Sequence, residues 1–511
     1  MILERGVVRT LDAALPTASA LAIAGERVAG GVGTHETALP GPGRVDLGGR
    51  CVVPGFNDAH VHFPTWALAR GEVRLEGSRS VEEALSRVRD ALDGVGEGRW
   101  LRGRGWRSGE WPVQPTKEAL DAVSSATPVA LLAQDSHSLW LNSAALARAD
   151  GELEVEGGVV ERDERGEPTG VLREEACWHF RDNWIVVSDD EYLAAMREGL
   201  RVAASRGVTA VHDKDGWIGA LRFWQALDAD EALTLRVWQS LPHDEVDRLA
   251  ALGFRSGFGN SMLRAGYLKA FMDGTLGSQT ARMLDGSGVQ ITSREHLAEI
   301  VRRAAAARWP VAVHAIGDLA NREALDAFEE TQDVWRPLGL RQRIEHAQLL
   351  APDDVERFAE LGVAASVQFS HAPSDRDLAD RFWAGKTERA YAFRSLWGSG
   401  ALVANGSDAP IEELDPLGGI VAGVLRTLDD RPAWHPEQSL TAEEALRATC
   451  VNPVWLAYDE HRRGKLVPGF LADVVVLDRD PLAVPAEELP DVRVVATMVG
   501  GRWTHNPPPW N

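Results

Sequence analysis

A (β/α)8 barrel with a small β-sandwich domain built from both termini and an insertion after the first barrel strand is the α/β fold class predicted by three observations. Eight short apolar or β-branched runs recur along the chain, most of them separated by stretches of helical spacing, and eight βα units is the count that closes a barrel. Both ends are rich in short strands punctuated by glycine and proline. Between the first two barrel candidates lies a long stretch without that alternation. With 511 residues the chain can bury a large core, and 44% hydrophobic with 25% charged residues excludes a disordered protein.

In chain order, residues 1–55 hold the short runs GVVRTL, SALAIAGERVAG and RVDLGGRCVVP, and Gly464–Thr504 resembles them with GKLVPGFLADVVVLDRDPL and VRVVATMVGGRWT. Residues 1–55 with 460–511 are therefore expected to form one composite domain. The first barrel strand is read from VPGFNDAHVHF, Val53 to Phe63, where Pro54 and Gly55 punctuate the start. Residues 69–189 form the insertion, with a helix over Val81–Leu92, the Trp-rich GRWLRGRGWRSGEWP and the run EPTGVLREEA. The barrel takes residues 56–68 and 190–459. Leu193, Met196, Leu200 and Ala203 recur at helical spacing before the strand GVTAVHD. TLRVWQSL, AGYLKAFMDG, VAVHAIGD, IEHAQ, VAASVQF and ALVANGSD follow as strands, with helices expected over Glu295–Arg308, Asn321–Gln332 and Pro352–Leu361.

A net charge of −22, without any Lys/Arg run, argues against nucleic acid and anionic membranes as partners. Cys51, Cys177 and Cys450 lie far apart and in no CxxC, so neither a disulfide framework nor a thiolate zinc site is expected, and a reducing cytoplasm fits. The apolar stretch Ala13–Ala24 is broken by Pro16 and reads as strand and turn rather than as a signal peptide. No segment approaches a membrane span.

The chemistry lies where strands end. Val61 separates His60 from His62, and residues two apart in a strand project from one face, so both imidazoles can meet one ion. Alone, HxH is a weak signal, and two half-exposed strand-end histidines are the commoner reading. Lys269 in YLKAFMDG, His314 in VAVHAIGD, His346 in RIEHAQ and Asp408 in ANGSDAP also follow apolar strands. Each has a plain structural reading, as a hydrogen-bonded core histidine, a turn aspartate or a snorkelling lysine. Their joint occurrence points instead to one mouth at the C-terminal ends of barrel strands. No GxSxG or HExxH is present, and the GKT at Gly385 has Asp380 where a phosphate loop needs glycine, so serine hydrolase, zincin and nucleotide hydrolase readings fall away.

The motifs VPGFNDAHVHF, DSHSLWLNSAAL, KAFMDGTLGSQTA, VHAIGD, RIEHAQ, NGSDAPI, NPVWLAY and GFLADVVVLDRDPL together resemble the amidohydrolase superfamily, in its amidohydrolase family three branch, which includes enzymes similar to N-substituted formamide deformylase. The resemblance implies a binuclear metal centre in which His60, His62 and Asp408 hold one ion and His314 and His346 the other. Lys269, carboxylated by carbon dioxide, would bridge them; a mononuclear site without carbamate is the chief variant. A buried lysine with a depressed pKa offers the neutral amine that this addition requires, and the resulting negative charge suits two cations. Four imidazoles, a carbamate and an aspartate leave two negative charges against four positive, which favours a hydroxide between the ions as nucleophile. Nitrogen and oxygen donors suit zinc best, with manganese, iron or nickel as alternatives. Asp408 would take the proton from water and deliver it to the leaving nitrogen.

Asp58 and Asp318 are expected either to orient ligand histidines or to cap turns, and Asp273 to organise the loop after Lys269. His137 is expected to close over the substrate with Trp106 and Trp111, unless these form only a packed aromatic lid; His212 and His371 are pocket candidates. The function expected is a cytoplasmic metal-dependent hydrolase of carbon–nitrogen bonds other than peptide bonds, acting on an N-acyl or N-formyl amide or a cyclic amide, with a homodimer as its assembly. The alternatives are a non-catalytic binding protein on the same scaffold, and a metal-dependent hydrolase of a lactone or other ester, because fold does not fix substrate.

Overall fold

The computed structural model describes residues 1–30, 32–33, 43–96, 98–106, 111–134, 138–149, 153–156, 158–277 and 279–510. All eight expected barrel strands are present: β1 (Phe56–Val61), β2 (Val208–Asp213), β3 (Arg236–Pro242), β4 (Leu263–Phe271), β5 (Val311–Ala315), β6 (Arg343–His346), β7 (Ala364–Val367) and β8 (Val403–Asn405). They pair in parallel and in chain order from β1 to β8. Nearly every strand residue is buried, as it must be when helices cover the outer face.

The first and last strands meet around one buried carboxylate. Asp58 Oδ1 accepts from the amides of His60 and Ser407, both at 3.0 Å, and the Asp408 amide donates to the His60 carbonyl at 2.7 Å. Gly406 makes this approach possible, since a Cβ there would lie 2.4 Å from the His60 nitrogen and 2.9 Å from Asp58 Oδ1. Burial, opposed by these hydrogen bonds, raises the Asp58 pKa to about 7.

Helix Arg294–Ala306 begins at Ser293, whose hydroxyl accepts from the His296 amide, and it buries Leu297, Ile300, Val301 and Ala304. Helix Asp318–Glu330 starts three residues before the position its spacing predicts, because Gly317 already has extended backbone and Asp318 occupies the first turn. The Pro352–Leu361 segment divides into a 3₁₀ turn, Pro352–Asp354, and helix Val355–Leu361.

Strands from the two termini join in one eight-stranded sheet, in which Cys51–Pro54 pairs with Val474–Leu477. Its first strand, Ile2–Arg9, is interrupted between Glu4 and Val8, where Arg5 has φ 61°; such a bulge bends the strand over a core that includes Leu3, Leu21, Val52, Val476 and Met498. Arg236 in β3 holds Asp473 through two 2.8 Å hydrogen bonds, both side chains buried, and so ties the barrel to that sheet.

Residues Ala67–Ala195 form a separate compact unit. Its six-stranded sheet runs in the order Gly158–Arg162, Pro168–Glu174, Ser138–Leu141, Val129–Ala133, Leu101–Trp106 and Val73–Arg74. Trp106 and Trp111 are buried in this unit's own core, with centroids 6.2 and 6.1 Å from Trp140, and their indole N–H groups donate to the carbonyls of Leu131 and Ser78. Their apolar and polar surfaces are thus used within the unit. His137 lies outside the described residues.

Candidate metal centre

The barrel interior explains which side chains converge. Ala59, Trp238, Tyr267, Ala312, Ala364 and Ala404 come from six different strands yet form one apolar cluster, which is possible only inside the barrel. Strand side chains repeat every second residue, so Lys269, two beyond Tyr267, and His314, two beyond Ala312, stand one layer higher on the same inner face. Glu345 is placed likewise, two beyond Arg343, whose guanidinium lies 4.5 Å from the Tyr267 ring.

Three other side chains reach this layer by breaking the alternation. In β1, three residue steps from Asp58 to Val61 face two in β2, from Val211 to Asp213, and the bulge re-aims the strand that carries His60. His346 and Asp408 have φ values of 76° and 57°, a region uncommon for residues other than glycine. Such strain persists only where surrounding structure enforces it.

Asp408 stands at the centre. His60 Nε2 lies 3.2 Å and His62 Nε2 3.6 Å from its Oδ1, and donor atoms of all three residues fall within 4.8 Å of one another. On its other side, His346 Nδ1 and His371 Nε2 lie 3.9 and 3.8 Å from Oδ2, a second group of the same span. The His314 ring is 4.5 Å from that of His346 and 5.4 Å from that of Phe271. Lys269 Nζ is buried 4.8 Å from the Phe271 ring and has no hydrogen-bond partner among the described residues.

Four of the rings are held by an acceptor on one nitrogen. His60 Nδ1 meets Glu345 at 2.8 Å, His62 Nδ1 meets Asp215 at 2.7 Å, His346 Nδ1 meets Gln368 Oε1 at 2.8 Å, and His314 Nε2 meets the Gly274 carbonyl at 3.0 Å. Each contact orients the ring and leaves the other nitrogen available to a cation.

Electrostatics follow from burial and this crowding. Burial alone would raise the Asp408 pKa, but His60, through its charge and its hydrogen bond, reverses this and holds the carboxyl well below its usual range. Burial and the Lys269 charge press His314 down to about 3, and burial, its largest cause, holds His346 well below its ordinary value, so both rings are neutral. Burial lowers His62 as well, yet Asp215 outweighs it and lifts the ring to about 9. Lys269 is lowered to about 8 by burial, against the pull of Glu345 and Asp408. Imidazole and carboxylate donors, once His62 gives up its proton, with an unpartnered amine beside them, fit divalent cations and a carbamate on that amine.

Sequence reasoning missed Glu345, Asp215, Gln368 and Gln348. Glu345 is fully buried, with Lys214 Nζ at 3.0 Å and Arg343 Nε at 2.7 Å in addition to His60. A glutamate within the four-residue buried strand RIEH was the available signal, as was the charged run HDKD at the end of β2 for Asp215. Glu345→Gln leaves two buried cations facing a neutral amide, so a loss of about 3–5 kcal/mol is expected. Urea unfolding of metal-free protein measures it, and an unchanged midpoint would count against the pairing.

The remaining candidates have other partners. Asp58 accepts from the backbone amides of His60 and Ser407, not from a histidine ring, among the described residues. Asp273 accepts from the amides of Arg282, Ile316 and Gly317, with Oδ1 3.7 Å from His314 Nε2. Asp318 accepts from the Leu284 amide, with Arg389 at 3.6 Å. His212 sits deeper in the barrel, where its Nδ1 accepts from Arg343 at 3.1 Å.

Comparison with known proteins agrees with this architecture. A sequence model of the amidohydrolase family matches residues 44–505. Protein LONG AFTER FAR-RED 3 of Arabidopsis thaliana is 32% identical over 98% of this chain and 91% of its own length. N-substituted formamide deformylase of Arthrobacter pascens is 27% identical over 97% and 96% respectively. The crystal structure of an uncharacterized metal-dependent hydrolase from Pyrococcus horikoshii superposes with a TM-score of 0.82 at 29% identity, covering 95% of this chain and 99% of that one. On a match spanning most of its length and a relative above 30% identity, the chain belongs to the amidohydrolase family.

Proposed function

We propose that the chain is a metal-dependent hydrolase cleaving a non-peptide carbon–nitrogen bond, in an N-acyl or N-formyl amide or a cyclic amide. The observation that carries this reading is the set of four histidine rings, each anchored through one nitrogen, gathered with Asp408 and the unpartnered amine of Lys269. The name of the deformylase relative and the metal dependence of the Pyrococcus structure favour it. His60, His62 and Asp408 would hold one divalent ion; His314 and His346 would hold the second, with Lys269 bridging as its carbamate. Bound there, such ions, zinc by preference, lower the pKa of water and polarise the scissile carbonyl.

The chain's own residues do the rest. Asp408, kept ionised beside His60, accepts the proton of the attacking water and returns it to the leaving nitrogen. Glu345, Asp215 and Gln368 hold the imidazoles in place so that reacting groups meet in one orientation. We further assign the protein to the cytoplasm as a homodimer; among the described residues no helix is long and apolar enough to cross a membrane. Metal analysis of purified protein, joined to a screen of formamides, N-acyl amino acids and cyclic amides with added zinc, tests the proposal. Two ions per chain and turnover lost on chelation are expected; metal-free protein inert toward every amide would overturn it.

A further inference from the structure

His371 differs from the other histidines around Asp408 in one respect. Those four rings each meet an acceptor, whereas His371 Nδ1 receives the Gln348 side-chain Nε2–H at 3.2 Å. A neutral imidazole that accepts on Nδ1 carries its hydrogen on Nε2. That Nε2 is buried, has no hydrogen-bond partner among the described residues, and lies 3.8 Å from Asp408 Oδ2. The ring is parallel to that of His346, at 6° and 6.3 Å between centroids, yet His346 Nδ1 faces the carbonyl oxygen of Gln368. Two glutamines thus set two stacked histidines in opposite tautomers: His346 keeps a lone pair on Nε2, and His371 keeps a hydrogen there.

A buried N–H without an acceptor costs free energy unless something brought to the site receives it. A cation does not, because the hydrogen occupies the position of the lone pair. We propose that His371 is a further catalytic residue, a neutral hydrogen-bond donor to the carbonyl oxygen of the amide substrate, and not a metal ligand. This rests on the hydrolase reading above. The ring donates a hydrogen bond and keeps its proton, so proton transfer remains with Asp408. The N–H is in place before the carbonyl oxygen gains negative charge, which is the condition under which a donor lowers the barrier most.

Nitrogen-15 NMR of histidine-labelled, metal-free full-length protein, with assignment by the His371→Phe variant, reads the tautomer directly. An Nε2–H signal is expected, and an Nδ1–H tautomer would overturn the proposal. In reconstituted enzyme, His371→Phe preserves the ring stacked on His346 and removes the donor. Its kcat for an N-formyl or N-acyl amide should fall by about 100-fold, KM should stay within about threefold, and metal content should equal that of wild type. His371→Gln, which restores an N–H near the same place, should recover about tenfold of that loss, which a purely structural role would not produce. Loss of a metal ion in His371→Phe, or unchanged kcat, overturns the assignment. Should wild-type protein hydrolyse no amide at all, the hydrolase reading fails by itself, and the tautomer still decides whether a donor stands at this position.

Discussion

Replacing Asp408 by Asn is expected to lower kcat for amide hydrolysis by about a thousandfold or more while metal content stays near that of wild type. The amide keeps an oxygen where His60 and His62 converge, at 3.2 and 3.6 Å from Oδ1, so a ligand atom survives. What disappears is the carboxylate that His60 keeps ionised. Asparagine also tolerates the left-handed backbone at this position, φ 57°, so the loop after β8 should retain its shape. Steady-state kinetics and elemental analysis of the same preparation check the result. Activity within tenfold of wild type would remove Asp408 from proton transfer, and loss of metal with activity would make it a ligand alone.

A second large effect is expected at Lys269. Lys269→Met replaces an amine without a hydrogen-bond partner by an apolar chain of similar length, so the fold should be as stable or more so. The variant should nonetheless retain one metal ion where wild type holds two, and lose about a thousandfold in kcat. Lys269→Ala should regain part of its activity with formate or acetate, small carboxylates that can occupy the place of a carbamate. The pH dependence of reconstitution follows from the lowered pKa, about 8 in the metal-free chain. Below that value the ammonium has no lone pair for carbon dioxide; above it the amine is free. At fixed dissolved carbon dioxide, metal uptake should therefore accelerate as pH rises through about 8, with a carbamate carbon signal from labelled bicarbonate. Full metal content in Lys269→Met, or uptake indifferent to bicarbonate, would exclude the bridge.

The eight strands were legible because each is a short buried run bounded by turn residues, and strand formation there depends on side chains that the linear pattern displays. Lys269 and His314 could be named for the same reason: each is an ionisable residue in a short apolar run, a pattern that the chain shows by itself. Glu345 was missed: RIEH shows a glutamate and Arg343 in one strand, but its other partners, Lys214 and His60, come from distant segments. Trp106 and Trp111 left two readings open for the opposite reason. A tryptophan-rich segment looks alike whether its rings line a cavity or pack on one another, and Trp140, against which both rings pack, lies about thirty residues away.

What the sequence alone determined is the order of the barrel strands and the identities of the ionisable residues at their ends, both properties of local spacing. Tertiary structure decided which nitrogen of each histidine is free and that Asp408 lies among four rings. It also decided that Gln348, by donating where Gln368 accepts, sets His371 apart from His346. These depend on contacts between residues far apart in the chain, and on two left-handed backbone positions, His346 and Asp408, that only the closed barrel enforces.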